Sequence, residues 1–210
     1  NIDNENEDEY INKLNNVEGY EDSLKVHQEI VSISKENINK QNVTLYVPES
    51  NTKIDNFVLL NNRITKEKYQ LTTDGAIINE KLAKLLEVKI GDEISFNNAD
   101  NNSYKIKVKG ISENYLTHAI YMSKEYYKNV FNKDVIYNSQ FIKLSQDNYN
   151  EDDIASQLME SNKVINVTMT SYLAKTTNES MDTLNVVVII LIISAGVLAL
   201  VVLYNLNNIN

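Results

Sequence analysis

The stretch LNVVVIILIISAGVLALVVLYNLNNIN, Leu184 to Asn210, constrains the fold of this chain more than any other. From Val186 to Leu203 Ser194 alone carries a polar side chain, and the last charged residue is Asp182. A helix packed on a soluble core keeps a polar stripe toward water, and this run has none. About 20 apolar residues at a rise of ~1.5 Å span a hydrocarbon core of ~30 Å. Leu184, Tyr204 and Leu206 extend the run toward that length. It stands at the wrong end for a signal peptide, and no basic region precedes it. A transmembrane helix over 185–204 is therefore expected, the alternative being a fully buried core helix. Tyr204 sits where an interfacial aromatic belongs, and Asn205, Asn207 and Asn208 mark the exit into water.

The rest of the chain is polar and acidic. The formal net charge is −9, which argues against nucleic acid and against an anionic membrane surface as the main partner. There is no cysteine, hence no disulfide framework and no thiolate zinc site. The acidic start, NIDNENEDEY, lacks the glycine that a calcium loop needs at its sixth position.

The part before Leu184 mixes short helices with strands. Tyr10, Ile11 and Leu14 suit a short amphipathic helix. Leu24 to Ser34 is ambiguous, Leu24 and Val26 alternating as in a strand while Val26, Ile30 and Ile33 fit helical spacing. Strand is favoured because Val43 to Val47 alternates cleanly soon after, and Asn56 to Leu60 is expected as another strand. Ile78, Leu82, Leu85 and Leu86 fall on one helix face, Gly91-Asp92 is a turn signal, and Ile94 and Phe96 alternate into a strand. After a polar hairpin tip, YKIKVKGI alternates cleanly. Tyr104, Ile106 and Val108 take one face, and Lys105, Lys107 and Lys109 the wet one. Ala119 to Met122 is a further strand, Ser123 caps a helix through Phe131, and Val135 to Leu144 is a strand. Glu151 to Ser161 is a helix, and Ile165, Val167 and Met169 alternate in a last strand. The expected class is α+β, with mixed small sheets and short helices and no regular βα alternation.

From Ser171 the helical signal does not stop. Leu173, Thr177, Met181 and Leu184 keep one face, and no Gly or Pro intervenes before Gly196. One helix from about Tyr172 to Tyr204 would be on the order of 50 Å long. The expected organisation is an outer α+β domain over 1–170, either one domain or two small subdomains. A stalk helix over 171–184, a membrane span over 185–204 and the start of a cytoplasmic segment over 205–210 follow. Within the span Ala195 and Ala199 lie four apart, with Ser194 and Gly196 adjacent. Small residues at that spacing let helix backbones approach, so these four are the candidate packing residues against other membrane helices.

No motif of catalysis is found. The chain has no Walker lysine loop, GxSxG, HExxH or CxxC. Its two histidines, His27 and His118, have no evident nucleophile beside them, and the carboxylates are scattered. No catalytic residue, cofactor or metal ligand is assigned.

Two stretches carry a resemblance. INEKLAKLLEVKIGDEISF followed by YKIKVKGI resembles the extracytoplasmic domain of the FtsX-like (MacB-type) ABC transporter permease family. In that family an L-A-x-x-L-x-x-x-x-G-D-x-I run leads into a strand pair, and Leu82, Ala83, Gly91 and Asp92 stand at its key positions here. The apolar tail is similar to the membrane helix that follows this domain in long Gram-positive members. YLTHAIYMSKEYYKNVF has the family's strand followed by a short helix. The resemblance covers roughly 61–210. The helix that precedes the domain in the family is not within the chain, so a piece of a longer permease is expected. The resemblance implies a MacB-like periplasmic core and a non-catalytic permease subunit. It implies a separate cytoplasmic ABC ATPase and a second permease copy or paralogue. It also implies a peptide, lipopeptide or lipoprotein partner outside the cell, reached by transport or mechanotransmission. The setting would be the cell membrane of a bacterium, of the Gram-positive kind, with the large domain extracellular. The competing reading is the outer sensor domain of a membrane-bound signalling receptor, which would also feed a stalk helix. A third is a membrane-anchored binding protein.

Overall fold

The computed structural model describes residues 7–35, 38–113, 117–145, 150–161 and 164–208, with the backbone alone for 7–8 and 172–183. It divides into two units, Glu18–Asn148 and Asn1–Val17 with Tyr149–Asn210. The α+β class expected from the sequence is what the fold shows.

The first unit is a single seven-stranded mixed sheet. Its strands are β1 (Tyr20–Lys35), β2 (Ile38–Pro48), β3 (Ala76–Asn79), β4 (Glu93–Asn97), β5 (Ser103–Ser112), β6 (Ala119–Tyr121) and β7 (Ser139–Leu144), in the order β2-β6-β3-β5-β4-β1-β7. Because β1 also pairs with β2, six of the strands close on themselves. The long β1 makes this possible. Its first half, Tyr20 to Val26, pairs with β7, and its second half, Val26 to Lys35, pairs with β2. Two contacts are parallel, β2 with β6 and β3 with β5, and the rest antiparallel.

The alternation read in β5 is real. Ile106 and Val108 are buried, whereas Lys105, Lys107 and Lys109 are exposed. The hairpin tip between β4 and β5 is built by asparagines. Asn98 accepts from Asn102 N–H at 2.9 Å through its side chain, and Asn101 takes the left-handed conformation (φ 62°) that asparagine tolerates better than most residues.

The sheet buries apolar side chains on two faces. On one, α2 (Glu80–Leu86) and α3 (Lys124–Phe131) cover a cluster that includes Val43, Leu45, Ile78, Leu82, Ile106 and Phe131. On the other, Leu24, Val26, Ile54, Leu60, Ile77 and Tyr121 pack together, with Tyr46 stacked on Tyr121 at 5.3 Å. Ser123 caps α3, accepting from Tyr126 N–H at 3.0 Å while its hydroxyl donates to Thr72 O at 2.9 Å.

Three expectations are corrected. Asn56 to Leu60 is not a strand. Lys53–Asn56 is a 3-10 turn, and Leu60 enters the second cluster from an irregular segment while Leu59 stays exposed. With β2, β3 and β6 each flanked on both sides, apolar content alone gives this segment no ladder to join. Ile78 lies in β3 and not in the helix, which begins at Glu80, because a buried strand end and a helix face both call for isoleucine there. Val135 to Asn138 stays outside β7, although Asn138 imitates a strand, its side chain bonding the N–H and carbonyl of Gln28 at 2.8 and 2.9 Å.

The second unit holds α1 (Glu7–Asn15), α4 (Glu151–Met159) and α5 (Thr170–Asn208). α1 and α4 lie in contact, and Leu14, Val17, Ile154 and Leu158 are buried. Asn150 caps α4 through its side chain. The strand expected at Ile165, Val167 and Met169 is not formed, and Ile165 is 98% exposed. Alternation does not hold a strand without a neighbour to bond to.

Candidate functional site

α5 is the element with the clearest functional meaning. It is one unbroken helix of 39 residues. At ~1.5 Å per residue that is about 58 Å. Its portion Leu184–Asn208 is long and apolar enough to cross a membrane, and none of it is buried. The large side chains from Leu184 to Leu206 point outward in every direction. An apolar surface all round a helix is costly in water and neutral in hydrocarbon.

The four candidate packing residues do not form one face. At ~100° per residue, Ala195, Gly196 and Ala199 fall within an arc of about 100°. Ser194 lies about 100° to the other side of Ala195. Its hydroxyl donates to Ile190 O at 2.8 Å, so the group is satisfied within its own helix. A Cβ on Gly196 would meet nothing within 4 Å.

The motif residues Leu82, Ala83, Gly91 and Asp92 build the passage from α2 into β4. Leu82 (0% exposed) and Ala83 face the core. The helix ends at Glu87, which holds the left-handed conformation (φ 54°, ψ 42°). Val88 N–H closes the turn on Ala83 O at 3.0 Å. Gly91 then adopts φ +102°, where a side chain is strained. Its N–H donates to Val108 O, and Val108 N–H to Asp92 O, both at 2.8 Å. The Asp92 carboxylate accepts from Lys89 N–H at 2.8 Å. All four residues therefore have structural work in the turn. Since Glu87 is an exposed non-glycine residue in the left-handed region, Glu87→Gly should stabilise the fold by about 0.5–1 kcal/mol, read as a raised urea midpoint.

His27 donates from Nδ1 to Ile136 O at 2.7 Å, and its Nε2 lies 3.6 Å from Glu29. His118 is pushed below the usual imidazole range by burial, with Lys81 adding to the effect. Neither faces a nucleophile with base and orienting group in line. Buried Asn79 joins β3 to β6, donating to Thr117 O at 2.6 Å and accepting from Ala119 N–H at 3.1 Å. Among the described residues no cluster of His, Asp and Glu is placed to hold a metal.

On the lysine face, Lys109 contacts Asp74 at 2.7 Å, and that ammonium, with the Thr72 hydroxyl, holds the carboxyl at about 2. A depressed folded-state value contributes stability above the unfolded carboxylate range, and this is lost as pH falls through the folded one. Asp74→Asn should therefore flatten the acid limb of the stability profile between pH 3.8 and about 2, measured by urea unfolding. The pair is exposed, so the change is small.

No family model matches the chain, and no curated protein matches it. Solved structures do. The extracellular domain of the noncanonic ABC-type transporter YknZ from Gram-positive bacteria overlaps 71% of this chain and 76% of its own, at 17% identity and a TM-score of 0.42. The periplasmic region of MacB from Actinobacillus actinomycetemcomitans overlaps 71% of each chain, at 14% identity and a TM-score of 0.38. A domain of a putative permease from Porphyromonas gingivalis overlaps 70% of this chain and 71% of its own, at 13% identity and a TM-score of 0.33.

Proposed function

We propose that this chain is the extracellular domain and the following membrane helix of an FtsX-like (MacB-type) ABC transporter permease. In this reading it is a non-catalytic subunit. Nucleotide-driven movement of membrane helices, powered by a separate cytoplasmic ATPase, acts through it on a peptide or lipid-linked partner outside the cell. The observation that carries the reading is the continuity of α5, whose helical hydrogen bonding runs from Thr170 through the apolar span. A continuous helix transmits displacement and rotation, which a Gly/Ser-rich linker does not. The L-A-x-x-L-x-x-x-x-G-D-x-I run supports the family, and the domain limits 1–170, 171–184, 185–204 and 205–210 belong to the same reading.

Two measurements test it. The protein solubilised from its native membrane should retain an ABC ATPase. The gene beyond Asn210 should encode further spans and a cytoplasmic coupling segment. A heptad signalling segment or a kinase there overturns the reading in favour of a receptor.

The small face of α5 gives a further expected outcome. Ala195→Leu and Ala199→Leu should each weaken assembly with neighbouring membrane helices by about 1 kcal/mol, a factor of roughly five. Val197→Leu, on the opposite side, should leave it unchanged. Crosslinking yield in proteoliposomes measures this, and equal effects at all three positions would remove the packing face.

A further inference from the structure

The closed ring of strands is held shut at one point by a single pair. Among the described residues the ladder between β1 and β4 consists of Ser32 opposite Asn97. Beyond it the two strands part. The β1–β2 ladder shifts register here, Ile33 facing Gln41 and Lys35 facing Ile38, so that β2 carries one extra residue beside this end of β1. β4 meanwhile keeps full register with β5 on its other side. A cleft of about 500 Å³ lies there, lined by Ile33 to Lys35 of β1, by Asp92 and by Glu93 to Ser95 of β4. Leu86 and Val88 line it as well.

Three features say what fits there. The facing strand segments offer backbone N–H and carbonyl groups that the ladder between β1 and β4 does not use. Their spacing along the strand is matched only by another extended polypeptide, not by a lipid or a sugar. Part of the lining is apolar, and Leu86, Ile33 and Ile94 there are nearly closed to solvent. The rim on the β4 side carries the exposed carboxylates of Asp92 and Glu93. Opposite them stands Lys35, whose ammonium is already engaged, donating to Leu86 O at 2.5 Å. That lysine caps an end carbonyl of α2 and keeps its charge, so the rim sets two carboxylates against one ammonium and its net charge is negative.

We propose that the open seam between β1 and β4 is a docking site for a short extended peptide segment, in which apolar residues alternate with cationic ones. The segment adds a strand at the parted edges, places its apolar side chains over Leu86 and Val88, and presents lysine or arginine to Asp92 and Glu93. This goes beyond the permease reading, and nothing in the seam depends on that reading.

The absence of cysteine makes the test clean. Ser34 and Ser95, both exposed, lie two residues beyond the Ser32–Asn97 pair on their strands. The full chain in detergent, carrying Ser34→Cys and Ser95→Cys, is compared before and after bridging with a short bismaleimide. The probe is a fluorescent hexapeptide alternating lysine and valine, followed by anisotropy. Binding to the unbridged protein should fall at least tenfold on bridging, about 1.4 kcal/mol or more. The same peptide N-methylated at alternate amides should not bind, since strand addition requires its N–H groups. A glutamate–valine peptide should bind about tenfold more weakly, and Glu93→Lys should narrow that gap. Bound probe should slow amide exchange at Ser34, Lys35 and Glu93 to Ser95. Equal binding before and after bridging, equal binding of the N-methylated peptide, or no binding of the lysine–valine probe each overturns the proposal. The circular dichroism of the bridged protein, unchanged from the unbridged, excludes loss of fold as the cause.

Discussion

Asp182→Pro should break the mechanical continuity of α5 while leaving both the sheet unit and membrane insertion intact. Residue 182 lies in the helix interior, two residues before the apolar span begins. Proline there removes the N–H bond to the carbonyl four residues back and clashes with that carbonyl, a cost of about 3 kcal/mol. The apolar portion from Leu184 on keeps all its residues, so it still favours lipid. Spin labels at Ser171 and Ala195 measure the effect. In an unbroken helix they sit about 36 Å apart with a narrow distribution. The proline variant should shorten and broaden it. The same narrow distance in both proteins would remove the idea that a stiff helix carries the coupling.

Leu82→Ala should be the most damaging single change in the Leu82-to-Ile94 run. Leu82 is fully buried in the first cluster, on the face of α2 toward the sheet. Truncating such a leucine costs about 2–5 kcal/mol, a large part of the 5–15 kcal/mol that holds a typical domain together. Asp92→Ala removes one side-chain hydrogen bond in an exposed turn and should cost about 1 kcal/mol. Urea unfolding of the full chain in detergent, followed by circular dichroism, compares the two. The ordering follows from the turn geometry, in which Leu82 is packed in the core and Asp92 holds an exposed turn. Equal losses at the two positions, or a larger loss at Asp92, would point instead to a role for the carboxylate outside the turn.

The sequence showed most where one short-range rule decides the outcome. The β5 alternation from Tyr104 to Ile111 needs only period two, and the Ser123 cap of α3 needs only a hydroxyl before a helical run. The candidate site was legible in part. The composition of α5 marks a span, but which small residues share a face follows from helix geometry, and it sets Ser194 apart from Ala195, Gly196 and Ala199. Two of the errors share a cause. Asn56 to Leu60 and Ile165 to Met169 have the apolar or alternating content of strands, yet no neighbouring strand edge accepts them.

By itself, then, the sequence determined the α+β class and the uncharged apolar helix at its end, because burial and hydration act on each residue's own chemistry. Only the tertiary structure decided that β1 is long enough to serve two neighbours in turn, that six strands close into a ring, and that β1 and β4 meet in the single pair Ser32–Asn97. Those outcomes depend on hydrogen bonds between segments far apart in the chain. No local pattern around Ile33 or Ile94 records which edge the other will meet.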